Sequence, residues 1–331
     1  MKAIIPVAGV GTKLRPHTHT QPKPLLPVAG KPILGHIIDN LLSAGVREQI
    51  FIVGHFREKI QEYVETCYGD KITMHFVLQE PRQGLAHAVW VARAHIQPPE
   101  PVLVMLGDTI FGEDTRRVID APGSILGVHQ VDDPRVFGVA VLDGQQQVRR
   151  VVEKPQIPTS NFALVGLYKI AETDVLLRVL DEMMGTGGWQ EREYPLAEAL
   201  TLMIQQGVNM KAHIVERWFD CGRPETLLAT NRILLSRMPM PDLPPMNHTV
   251  IIPPVHIAEG CEISNSIIGP YVTIAEHARI ENSIIQDTIL GAYSRLESIT
   301  LKGSVIGNDT TLRGKSLSIN IGDNTELNFD T

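Results

Sequence analysis

Between Val7 and Pro32 the chain reads VAGVGTKLRPHTHTQPKPLLPVAGKP, and the residue types gathered there are those that hold an anion. Gly9 and Gly11 leave the backbone open to close approach. Lys13, Arg15, Lys23 and Lys31 concentrate positive charge in a chain whose formal net charge is −7. The segment directly follows a short apolar run and precedes an amphipathic one. Its N–H groups can therefore converge as a nest at the carboxyl edge of a sheet, where open α/β sheets bind ligands. It is not a Walker A loop, because no GxxxxGK[ST] spacing exists, and GxG without a third glycine falls short of the dinucleotide fingerprint. A third phosphate-binding design is required.

The elements that must carry this loop follow from periodicity. The opening run Ala3 to Ala8 is cut by Pro6 and is too short for a signal or membrane segment, which predicts a first strand. QIFIV (49–53), ITMHFVL (72–78) and PVLVML (101–106) predict buried strands, and PILGHIIDNLLSAG predicts a helix ending at Gly45. VFGVAVL, VRRVVE, FALVGLYKI and NMKAHIVE extend the strands. TDVLLRVLDEMM, PLAEALTLMIQQG and PETLLATNRILLSR extend the helices. The rhythm is α/β with a mixed sheet. Among 331 residues, 43% hydrophobic and 20% charged is ordinary for a globular protein, and a pI near 5.9 gives no global attraction to nucleic acid or anionic lipid. Cys67, Cys221 and Cys261 form no CxxC pair, as expected of a reducing cytoplasm.

Composition changes at residues 237–248, where four prolines fall between Pro239 and Pro245. Beyond this linker the apolar spacing becomes six: Ile251, Ile257, Ile263, then Ile268, Ile274, Ile280, then Ile284, Leu290, Leu296, and later Ile306 and Leu312, with restarts after 17 and 16 residues. A hexad period with small and polar turns predicts a β-helix of four or five coils, stacking aliphatic side chains from coil to coil, in preference to a β-sandwich. Its flat faces suit packing on another copy, so a homo-oligomer is expected.

Gly9-x-Gly11-Thr12-Lys13-Leu14-Arg15-Pro16, then Pro22-Lys23-Pro24 and Gly30-Lys31-Pro32, resembles the signature of the sugar-1-phosphate nucleotidylyltransferases. The likeness continues in order through Gln79 and Gly84, Gly107-Asp108, Gly138, Glu153-Lys154-Pro155 and WFDCG ending in Gly222. It implies a Rossmann-like mixed-sheet catalytic domain over residues 1–236 and a left-handed β-helix over 249–331, as in the longer members of the family. It also implies the reaction: an NTP and a sugar 1-phosphate give an NDP-sugar and pyrophosphate, by positioning and charge neutralisation more than by covalent help.

By the same resemblance Ala8, Gly9, Gly11 and Thr12 cradle the nucleotide, and Gln79 with Gly84 read its base. Lys13, Arg15 and Lys23 face the phosphates, Lys154 holds the sugar phosphate, and Gly138 and Glu153 meet sugar hydroxyls. Asp108 and Asp220 hold Mg²⁺, which favours one or two carboxylates plus phosphate oxygens. Taken singly, Asp108 reads as a helix cap and Asp220 as a turn residue before Gly222; together with the loop they read as ligands. One departure stands out: most relatives have arginine where this chain has Lys13, a point charge in place of a fork. That leaves a weakly active nucleotide-sugar-binding subunit as an alternative to an enzyme. LGDTIFG, WFDCG and the tail favour thymidylyl transfer to glucose 1-phosphate, ahead of uridylyl and guanylyl transfer. His248, His256 and His277 offer bases for an acyltransferase tail, but the tail lacks an insertion loop long enough to cover a coenzyme.

Overall fold

The computed structural model describes residues 1–185, 193–239 and 246–314. It divides into two compact units, Met1–Thr230 and Asn231–Thr331.

The first unit is built on a nine-stranded mixed sheet. One half is parallel: Val102–Met105, Lys2–Pro6, Glu48–Val53 and, at the edge, Thr73–Leu78 lie side by side, with Ile4 in register with both Val104 and Ile50. The first three are rich in apolar residues because strands covered on both faces need them at successive positions, whereas Thr73–Leu78, expected to be buried, is an edge strand with no buried residue. Ile4, Ile50, Ile52, Val102 and Val104 are buried in one core cluster. Phe162–Ile170 continues the sheet antiparallel to Val102–Met105, and next to it lie Gly138–Leu142 and Val148–Glu153. Ser124–Gln130 pairs with Phe162–Ile170 on one side and with Met210–Ile214 on the other.

The helix Ile33–Ser43 buries Ile33, Leu34, Ile37, Ile38 and Leu41, one stripe at helical spacing. A second helix, Arg57–Tyr68, is polar except for Ile60, Val64 and Tyr68, four residues apart. No helix among the described residues is long and apolar enough to cross a membrane.

In the second unit three parallel four-stranded sheets form the faces of a left-handed β-helix. Ile257, Ile274, Leu290 and Ile306 stack along one sheet, and Ile263, Ile280, Leu296 and Leu312 along another. On the third sheet the hexad count needs a correction. Ile285, with no exposure, is the inward residue, whereas Ile284 is 47% exposed and points out. The ladder runs Ile251, Ile268, Ile285, Leu301. Five residues, not six, separate Ile285 from Leu290, and a side-chain period of two means that a one-residue slip exchanges inside for outside.

The division between units falls within the helix Pro224–Leu235, ahead of the expected boundary at 236. From Asn231 onward its side chains bond to the coils: Thr273 Oγ1 donates to Asn231 Oδ1 at 2.6 Å, and Arg232 pairs with Asp287 at 2.5 Å. Residues 240–245 of the expected linker and 315–331 of the expected tail lie outside the described residues.

Candidate active site

The four parallel strands end at Pro6, Val53, Leu78 and Met105 on one edge of the sheet, so the loops that follow emerge together. A cavity of about 830 Å³ opens there. Gly9, Gly11, Thr12, Lys13, Lys23, Gly84, Asp108, Gly138, Glu153, Lys154 and Asp220 all line it, although they span more than two hundred positions of sequence.

Three glycines explain how the loops approach one another. Gly11 sits in the left-handed region at φ 70°, where a Cβ would lie 3.0 Å from both Lys23 Cβ and Thr18 Cγ2. Its carbonyl accepts from Thr18 Oγ1 at 2.8 Å, which folds the loop back and brings Lys23 against it. A Cβ on Gly107 would lie 2.8 Å from the Pro6 carbonyl oxygen, so only glycine lets the first and fourth strands of this edge close on each other. Gly84 carries the backbone past Tyr194, with Tyr194 N donating to Gln83 O at 2.8 Å and Ala86 N donating to Tyr194 O at 2.9 Å.

At the centre of the cavity the charges converge. Lys23 Nζ donates to Asp108 Oδ2 at 2.5 Å; the lysine side chain is 14% exposed and the aspartate 38%. Asp220 reaches the same place because Trp218–Asp220 pairs antiparallel with Thr109–Phe111, setting Asp220 opposite Thr109, and Cys221 N donates to Asp108 O at 3.0 Å. Burial above all, and then the charge of Asp108, push the Asp220 carboxyl up from the usual carboxylate range, while Lys23, the Gly222 N–H and Lys13 pull it back. The Gly222 N–H donates to Asp220 Oδ1 at 2.8 Å. Two carboxylates that repel each other in a cavity, one of them with Oδ2 outside any hydrogen bond among the described residues, are a donor set that suits a hard divalent cation.

The opposite wall is formed by Gly138, Glu153 and Lys154. A Cβ on Gly138 would lie 3.2 Å from Glu153 Oε2, so the absent side chain leaves the carboxylate room. Lys154 stands at φ 42°, and its Nζ lies 3.5 Å from Glu153 Oε1.

Three expected residues lie elsewhere. Ala8 is buried with its carbonyl against Gly54. Gln79 is buried, and its amide donates to the Gly84 carbonyl at 2.9 Å, so the two residues meet each other but only Gly84 lines the cavity. Arg15 is exposed and outside the lining. Conversely, Arg223, Trp218 and Glu193 line the cavity without having been singled out. Trp218 packs edge-on against Phe137 at 5.4 Å, and its Nε1 is buried with no hydrogen-bond partner among the described residues. Arg223 adjoins WFDCG and was within reach of the motif; Glu193 has no local signal.

Residues 2–237 match the nucleotidyl transferase family. The chain belongs to that family. Residues 244–311 match the GlmU-like C-terminal hexapeptide family, in agreement with the coils of the second unit. The low-salt glycan biosynthesis nucleotidyltransferase Agl11 of Haloferax volcanii is 33% identical over 71% of this chain and 66% of its own length. A glucose-1-phosphate thymidylyltransferase of Streptomyces griseus is 28% identical over 96% of this chain and 89% of its own. The chain spans 55% to 66% of the length of the first four curated relatives it matches. A crystal structure titled as a putative glucose-1-phosphate thymidylyltransferase from Bacillus anthracis superposes with a TM-score of 0.64 at 24% identity, covering 73% of this chain and 98% of that one, and so shares the fold. Within the nucleotidyl transferase family the glycine loop, Lys23 and the Asp108–Asp220 pair are the chemical features of this cavity.

Proposed function

We propose that this nucleotidyl transferase joins a nucleoside triphosphate to a sugar 1-phosphate, releasing pyrophosphate, with dTTP and glucose 1-phosphate as the preferred pair. The observation that carries this reading is the convergence of Lys23, Asp108 and Asp220, with Lys13 close enough for its charge to reach Asp220, in one cavity beside a glycine loop.

In the reaction a phosphate oxygen of the sugar 1-phosphate attacks the α-phosphorus. A new P–O bond forms as the bond to the bridging α–β oxygen breaks, and the electron pair leaves with pyrophosphate. No group of the protein needs to become covalently attached. Gly9, Gly11 and Thr12 cradle the triphosphate, and Gly84, fixed by the Gln79 amide, faces the base. Lys13 and Lys23 balance charge that builds on the leaving group, and Lys154 with Glu153 orients the sugar phosphate and its hydroxyls. Asp108 and Asp220 would hold Mg²⁺, which, when bound, neutralises phosphate charge. Arg15, outside the lining, is left without a direct role.

Thymidylyl transfer is favoured because the likeness to the Streptomyces griseus thymidylyltransferase runs through both units. The β-helix is proposed to pack against other copies of the chain. Loss of residues 240–331 is expected to lower the number of chains per particle, as light scattering reads it against the mass of the shortened chain.

The test is a pyrophosphate-release screen of four NTPs against glucose, N-acetylglucosamine and mannose 1-phosphates with Mg²⁺. The highest turnover is expected for dTTP with glucose 1-phosphate. A preference for GTP with mannose 1-phosphate would overturn the substrate assignment, and no turnover with any pair would overturn the reaction.

A further inference from the structure

Four cationic side chains line the cavity: Lys13, Lys23, Lys154 and Arg223. Two already have carboxylate partners, Lys23 on Asp108 and Lys154 on Glu153. The other two, Lys13 and Arg223, make no side-chain hydrogen bond or ion pair with any described residue. A cation facing a cavity is free to take an anionic ligand without first giving up a bond, and of the two only Arg223 has the forked geometry that holds phosphate oxygens two at a time.

Its backbone is held while its side chain is not. Arg223 N donates to Thr226 Oγ1 at 3.2 Å, Thr226 Oγ1 donates to Arg223 O at 3.1 Å, and Leu227 N donates to Arg223 O at 2.9 Å. On its other side, Gly222 is bound by the Asp220 carboxylate. Arg223 thus leaves the rigid turn made by Asp220 itself. The charge of Lys13 reaches Asp220, and Arg223 lines the same cavity three residues along the chain from that aspartate. Glu153 and Lys154, in contrast, come from the end of the strand Val148–Glu153, a different part of the lining.

We propose that Arg223 grips the β- and γ-phosphates of the triphosphate, and then the departing pyrophosphate, as a second cation beside Lys13. This rests on the cavity being the nucleotidyl-transfer site proposed above. The guanidinium makes two N–H donors available to the leaving group without any proton transfer. Lys23 acts on the leaving group by its charge, with its ammonium bonded to Asp108.

The experiment compares Arg223→Gln and Arg223→Lys with the unaltered full chain by two measurements. Steady-state kinetics give KM for the NTP and for the sugar 1-phosphate separately. Calorimetric titration with inorganic pyrophosphate and Mg²⁺ gives affinity for the leaving group alone. For Arg223→Gln the expected result is about a tenfold rise in both the KM for NTP and the Kd for pyrophosphate, the scale of one charge-assisted contact, with the KM for sugar 1-phosphate within about twofold. Arg223→Lys should fall between Gln and the native residue. An unchanged pyrophosphate affinity, or a rise confined to the KM of the sugar 1-phosphate, overturns the proposal. If the native chain binds pyrophosphate yet transfers nothing, the transferase reading fails while the calorimetric comparison still decides the role of Arg223.

Discussion

Asp114 and Asp220 are both removed largely from water, and they have opposite surroundings. Asp114 accepts from His213 Nε2 at 3.1 Å and from the N–H groups of Glu216 and Arg217 at 3.2 and 3.4 Å, with Arg117 Nη1 3.6 Å away. Asp220 accepts from Gly222 N and faces a second carboxylate, with Lys23 and Lys13 near enough to act on it by charge alone. One charge is satisfied in place and ties a helix start to the segment leading into Trp218. The other lies beside a like charge, and Lys23 and Lys13 offset burial and repulsion only in part, since the carboxyl remains pushed up. Burial alone therefore does not separate a structural aspartate from a chemical one; the number and sign of its partners does.

The sharpest way to break this contrast is Asp220→Asn, or its counterpart Asp108→Asn. Either keeps side-chain volume, and turnover should fall at least about a hundredfold in both, the scale of one lost electrostatic group; Asp220→Asn removes repulsion, so its melting temperature should hold within about 2 °C, whereas Asp108→Asn also loses the ion pair with Lys23. A near-native rate removes that residue from the site. Lys13→Ala comes next, at about 2 kcal/mol of transition-state stabilisation, or about thirtyfold. Turnover should drop more than affinity for the NTP, and Lys13→Arg should remain active; the reverse pattern would make Lys13 a binding contact only. Asp114→Asn should give the mirror image. It deprives two backbone N–H groups and an imidazole of a charged acceptor, at about 1.5 kcal/mol, which in a unit of this size lowers melting by about 3 to 6 °C with kcat unchanged. A loss of kcat at unaltered stability would erase the distinction. The smallest effect is expected for Arg15→Ala: turnover within about twofold, because Arg15 is exposed and outside the lining. A dead Arg15 variant together with an active Lys13→Ala would transfer the phosphate contact to Arg15.

How much of this was legible in the sequence varies with the range of the interaction. The central strands could be read because covered parallel strands are continuously apolar, as in QIFIV and VLVML. The coils could be read because a repeated stack imposes its period on the chain, until one short coil moved the inward residue from Ile284 to Ile285. The helix Arg57–Tyr68 escaped notice because only Ile60, Val64 and Tyr68 mark its buried face. Asp108 and Lys23, which the family resemblance singled out, do meet in the cavity, Asp108 just past an apolar strand and Lys23 between two prolines. Gln79 was found but its aim was not, since its hydrogen bond to the Gly84 carbonyl depends on how the chain turns into the helix Leu85–Val91. Glu193 comes to the cavity with the segment whose Tyr194 bonds to Gln83 and Ala86, a meeting that nothing local to Glu193 announces.

The floor of the cavity rests on Gly107 lying against Pro6 and Val7, a contact made across about a hundred residues of chain. Such a contact comes late in assembly, because the long intervening loop must first be closed by other pairings. A chain still emerging from the ribosome, with its first strand complete and Gly107 not yet made, carries the glycine loop but not the Asp108 that Lys23 meets. A ligand of this cavity would then have nothing whole to bind until the parallel strands had come together. It would act as a late stabiliser of the finished unit, raising its resistance to unfolding as its occupancy rises, and not as a template around which the chain first collapses.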